Sequence, residues 1–220
     1  MEENNVILIQ LVISGLTLIF TPLFSALIVN YQLKKSHIYW EKQQGFLKGL
    51  EIDKLKSSTY RESVVSTNKL NDKILHHHIF ASNRDIFLAL SKVLKNNYAD
   101  ESNHFLNLFN TAKTVAEKSY LDMRDSSIFY SGIGVNIRLY FNEEIFDKYS
   151  ALQIKFKSIQ ENIIPLSELE KTSRDLISKG INVENLKDKL SDIYFEDYEK
   201  QKCDNEIHEF LDALMIEFKK

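Results

Sequence analysis

Cysteine is almost absent from the chain, and Cys203 is the single example in 220 residues. One thiol excludes an internal disulfide framework and a thiolate zinc site within one copy. Proline is nearly as scarce, with Pro22 and Pro165 only, and six glycines punctuate the chain at wide intervals. So few breakers leave long stretches free to be helical. An excess of positive charge is missing too: the formal net charge is -3, which gives no strong nucleic-acid signal. No His-Glu-x-x-His motif, Gly-x-Ser-x-Gly elbow or phosphate-loop lysine occurs, so no catalytic residue, cofactor or metal is assigned from motifs.

What is present begins with an uncharged run. Residues 4–33 carry no charge, and residues 6–29 are nearly continuous in Val, Ile, Leu and Phe. As a helix those 24 residues reach about 36 Å, enough for a hydrocarbon core of about 30 Å. The expectation is an N-terminal transmembrane helix. Glu2 and Glu3 ahead of the run, and Phe24 before Ala26, disfavour a cleaved signal peptide. Lys34, Lys35, Lys42 and Lys48 follow it, suited to membrane-surface contact and placing the C-terminal part in the cytoplasm with the N-terminus outside.

Gln10, Ser14, Thr17, Thr21 and Ser25 recur at spacings of four and three, within about an 80° arc of one helix face. Such a stripe suits transmembrane association between copies, a water-filled pore, or contact with another membrane subunit. The competing reading is that the hydroxyls bond back to their own helix.

The remainder predicts an all-α fold. The expected domains are a tail and transmembrane anchor at 1–33, a basic juxtamembrane connector at 34–58, and a cytoplasmic antiparallel helical bundle at 59–220. Gly45 and Gly49 mark a bend in the connector. A helix is expected from about Tyr60 to Lys95, broken near Ser82 and Asn83, with Ile86, Leu90, Val93 and Leu94 inward. Asp100 is expected to cap the next helix, whose inward face is Phe105, Leu108, Phe109, Ala112, Val115, Ala116 and Met123. The stretch 125–140 reads as irregular: Gly132 and Gly134 suggest an interhelical connection and 135–139 a short extended piece.

Further on, Asn142 is expected as an N-cap, followed by the inward series Ile145, Tyr149, Leu152, Phe156, Ile159 and Ile163. Pro165 stops that helix, Ser167 with Glu170 forms a capping box, and Gly180 ends the following short helix. A final helix from about Asn182 nearly to Lys220 carries two apolar patches separated by the polar stretch 196–205, where it would bend.

Among polar residues the run His76, His77, His78 stands out. Adjacent helical side chains diverge by about 100°, so the three do not converge on one ion. Ordinary histidines are the leading reading, ahead of a metal site completed by Asp72, His104 or Asp85, or pH sensing. Cys203, near Lys200 and Lys202, reads as an unremarkable thiol with a slightly lowered pKa.

The uncharged run, the segment NYQLKKSHIY at 30–39 and the segment RLYFNEEIFDKY at 138–149 resemble small bacterial single-pass membrane proteins of unassigned function with a cytosolic helical domain. Some of these are associated with defence or mobile elements. The resemblance implies a bacterial inner-membrane effector or accessory factor, while the uncharged run and its polar stripe give the lipid bilayer and further copies of the chain as expected partners, with an additional protein subunit as another candidate. The expected function is a non-enzymatic, membrane-anchored, oligomerising effector or accessory protein that recognises another protein, in antiviral defence. The alternatives are a membrane-tethered nuclease or hydrolase with a site assembled from His76, His78, Asp85 and His104, and a membrane sensor or adaptor subunit.

Overall fold

The computed structural model describes residues 2–219, and their side chains from residue 30 onward. The described residues form six helices: α1 (Glu2–Leu94), α2 (Ala99–Tyr140), α3 (Glu143–Glu161), α4 (Leu166–Ser178), α5 (Val183–Gln201) and α6 (Asp204–Phe218). The chain divides into two units, residues 1–54 and 55–220. The described side chains of the first are exposed on α1, with Gln44 alone half-buried.

The expectation of a single-pass anchor is corrected. Among the described residues no helix is long and apolar enough to cross a membrane. The physical reason is charge: from Lys34 onward lysines, aspartates and glutamates interrupt α1 every few residues. The run 6–29, with Gln10, Ser14, Thr17, Thr21 and Ser25, lies outside the residues whose side chains are described. The inner-membrane topology and the bilayer partnership are therefore not carried forward. Lys34, Lys35, Lys42 and Lys48 are exposed.

Within residues 55–220 the all-α bundle expected from the sequence is present. Helices α1 and α2 form its antiparallel spine. Ser102 Oγ donates to Ser91 O at 2.8 Å, His77 meets Ser119 at 3.1 Å, and Lys73 reaches Asp122 at 3.5 Å. Positions thus rise along one helix as they fall along the other. The inward positions of α2 include Ser102, Phe105, Ala116, Ser119, Met123, Ser126, Tyr130, Ile133 and Ile137. These follow the alternating three- and four-residue steps of a heptad seam, and their small members permit close approach of the helices.

Two hydrophobic clusters lie along this spine. In one, Leu70 and Ile74 of α1 and Met123 to Ile137 of α2 meet α3 and α6, with Phe156 and Phe210 at the centre. In the other, Ile86, Leu90 and Leu94 of α1 meet Leu169 of α4 and Leu186, Leu190 and Tyr194 of α5. Helix α5 joins them, since its Tyr198 belongs to the first cluster.

Several boundaries differ from expectation. Helix α1 runs unbroken past Ser82 and Asn83, and continues as helix through Gly45 and Gly49. The stretch 125–140 is the C-terminal half of α2, because Gly134 is a packing glycine against Tyr149 and Gly132 lies in open space. Tyr98 and Pro165 occupy the N-caps of α2 and α4 without side-chain bonds, so neither Asp100 nor Ser167 caps. The final helix is two, α5 and α6, parted at Lys202 and Cys203.

Two local readings hold. Asn142 Oδ1 accepts from Ile145 N at 3.0 Å, and Gly180, at φ 84°, closes α4 with Gly180 N donating to Ile177 O and Ile181 N to Leu176 O. That pair of bonds is the Schellman pattern, which glycine adopts without Cβ strain. Replacing Asn142 with alanine removes the partner of an otherwise orphaned amide and is expected to lower unfolding free energy by about 1 kcal/mol. Urea titration of both proteins checks this.

A candidate site at the seam between the two cores

The histidine run sits on α1 where one hydrophobic cluster gives way to the other. His76 is exposed, while His77 and His78 are buried. Their divergence along the helix sends them to different neighbours. His77 Nδ1 lies 3.1 Å from Ser119 Oγ on α2, with the Tyr120 ring at 5.6 Å. His78 Nε2 donates to Ile159 O on α3 at 2.8 Å, and its ring packs 4.9 Å from Tyr198 of α5.

The hydrogen-bond directions constrain the chemistry. Ser119 has one hydroxyl proton, and it donates to Ala116 O at 2.8 Å. Ser119 therefore accepts from a protonated Nδ1 of His77, the reverse of what a general base needs from a serine nucleophile. Burial holds His77 neutral down to about 4, reinforced by His78 and Arg84 and opposed by Asp85. Burial also lowers His78, against the carbonyl of Ile159 and Asp197, which pull upward.

Each buried histidine borders a cavity. On the His77 side, Arg84, Glu117, Tyr120, Leu121 and Gln160 surround about 440 Å³. Arg84 is held there by Asp85 through bonds of 2.7 and 2.9 Å. On the His78 side, about 310 Å³ lies between α1 and α5, walled by Leu75, Ile79, Tyr194, Phe195 and Tyr198, with Ser82, Asn83, Ser191 and Asp192 adding polar atoms.

The structure does not gather the residues considered for a tertiary-assembled site. Asp85 is engaged by Arg84, His76 and His104 are exposed, and His78 is turned toward Ile159. Among the described residues no group of three His, Cys, Asp or Glu side chains is placed to hold a metal ion. Cys203 also departs from expectation. It is fully buried, and desolvation, then Glu206 and Asp204, pushes its thiol up to about 12. Lys202 is drawn instead to Glu199 at 2.7 Å.

Sequence reasoning missed Tyr194, Phe195 and Tyr198 as cavity walls, although their spacing of one turn around the histidine-facing side of α5 carried a signal. No family model, curated protein or solved structure matches this chain. The resemblance to single-pass bacterial membrane proteins is corrected accordingly, and the defence association that rested on it is dropped.

Proposed function

We propose that this chain is a non-enzymatic protein-interaction module whose bundle docks against a second copy of itself through the outer face of α2. The observation that carries this reading is an apolar stripe opposite the heptad seam. Ile128, Phe129, Val135 and Leu139 are 64%, 56%, 65% and 67% exposed, and Leu121 extends the stripe toward the N-terminus of α2. A helix that is apolar on both faces is ordinarily covered on both, and a contiguous exposed patch marks an interaction surface.

Shape favours a second copy as the occupant. Gly132 lies midway along the stripe, exposed, and a side chain added there would touch nothing within 4 Å. It is the natural point of close approach for two helices. An antiparallel pairing centred on Gly132 brings Ile128 of each helix beside Val135 of the other, and two-fold symmetry supplies that contact twice.

Sedimentation equilibrium of the full chain tests the reading. The expected result is a concentration-dependent dimer that becomes monomeric when Ile128 and Val135 are both changed to Glu, with helical circular dichroism retained. A monomer at about 100 µM, a concentration that fills even weak self-association sites, overturns the proposal.

A further inference from the structure

The cavity between α1 and α5 has a composition more specific than that of a packing defect. Its apolar wall is largely aromatic, from Tyr194, Phe195 and Tyr198. Its charge has one sign, because Asp192 is among the lining residues and no lysine or arginine is. Asp197 adds to the field felt by His78 and Tyr194, and Asp72 to that felt by Tyr198. The countercharges are Lys189, 3.9 Å from Asp192 on the exposed side of α5, and Arg84, which acts on Tyr194 but is held by Asp85.

Two buried polar atoms of the lining residues have no hydrogen-bond partner, the Nδ1 of His78 and the hydroxyl of Tyr194. His78 is 3% exposed, its Nε2 is committed to Ile159 O at 2.8 Å, and its Nδ1 is buried without a hydrogen bond. With Nε2 carrying the proton, Nδ1 is an acceptor. Buried acceptors without donors are uncommon in folded proteins and invite an explanation.

From these features the geometry points to the α1–α5 cavity as a binding site for a small organic ammonium ion, an arylalkylamine in size and shape. Such an ion supplies three N–H donors and no acceptor, matching a wall that offers the His78 Nδ1 and the Asp192 carboxylate. Its apolar body replaces water against Leu75, Ile79 and Phe195, and its charge is attracted to the faces of the tyrosines. A volume of about 310 Å³ lies at the lower end of the range of roughly 300–1,000 Å³ that small-ligand sites occupy. A carboxylate of the same size meets the like charge of Asp192 there. Because the cavity lies where the two hydrophobic clusters meet, an occupant touches α1 and α5 together and stiffens the seam between them.

Saturation-transfer NMR and calorimetry on the full chain, with three probes of matched shape, test the site. Phenethylammonium is expected to bind with a dissociation constant on the order of 1 mM or tighter. Neutral 2-phenylethanol should bind at least about tenfold more weakly, and 3-phenylpropionate should not bind. Ser191→Trp, which fills the cavity from its half-buried rim, should abolish binding. Asp192→Asn should weaken the ammonium several-fold and leave the alcohol unchanged, with helical circular dichroism retained in both variants. Equal binding of all three probes, binding that survives Ser191→Trp, or no ammonium binding at about 10 mM overturns the assignment. None of these outcomes bears on self-association through α2.

Discussion

Lowering the pH from about 6.5 to about 4 will cost the bundle roughly 3 kcal/mol of stability through His77 alone. The folded protein holds this imidazole neutral down to about 4, mainly by burial, whereas the unfolded chain takes up a proton at the ordinary histidine value near 6.5. Between those limits the unfolded state binds more protons than the folded one, so stability rises with pH. The contribution is fully present above about 6.5 and is lost as pH falls toward 4. His78 is lowered for the same leading reason and adds in the same direction. Protonation is costly because the charged ring would sit beside Arg84, with Ser119 as its Nδ1 partner and Asp85 already held by Arg84.

Urea unfolding at a series of pH values measures the effect, and a His77→Gln variant isolates it from carboxylate titration. The wild type should show the steeper dependence between pH 6.5 and 4, and the variant a shallower one. Parallel curves for the two proteins would remove His77 as the cause.

Two glycines only two residues apart on α2 should respond to alanine in opposite directions. A Cβ at Gly134 would stand 2.6 Å from Cε1 of Tyr149 and 3.1 Å from its Cζ and hydroxyl. The tyrosine cannot retreat easily. Its hydroxyl donates to Tyr130 O at 2.6 Å, and its ring lies 4.9 Å from Tyr130 and 6.0 Å from Phe210. Gly134→Ala therefore overpacks the centre of the first cluster and should destabilise by about 1–3 kcal/mol, even after the gain in helix propensity. Gly132→Ala meets nothing within 4 Å and should stabilise the monomer by about 0.5–1 kcal/mol through propensity alone. Unfolding transitions of both variants, measured at a concentration below dimerisation, decide the matter. Equal shifts would show that Tyr149 is not locked.

The same pair shows how sequence and tertiary structure divide the information. Two glycines close together read as a chain interruption, and that reading fails because Gly134 exists to admit a ring from α3. Hydroxyl residues misled in the same manner. Ser63, Ser66 and Thr67 of α1 and Ser119 and Ser126 of α2 are buried, although a hydrophobicity pattern passes over them. Ser63 and Ser126 donate to carbonyls of their own helix four residues earlier, Thr59 O and Asp122 O, so burying these two leaves neither hydroxyl proton unmatched. A heptad count including small polar residues would have carried α2 through residue 140.

What the sequence determined by itself was local. Asn142 caps, Gly180 terminates, and Ile145, Tyr149, Leu152, Phe156 and Ile159 face inward because caps and periodicities act within a turn or two of chain. What only the tertiary structure decided was the environment of polar groups. His77 is answered by a residue 42 positions away and His78 by one 81 away, and Cys203 is buried despite two lysines beside it in the chain. Desolvation and hydrogen-bond partnership depend on which surfaces meet in space, and those surfaces come from segments that no local pattern joins.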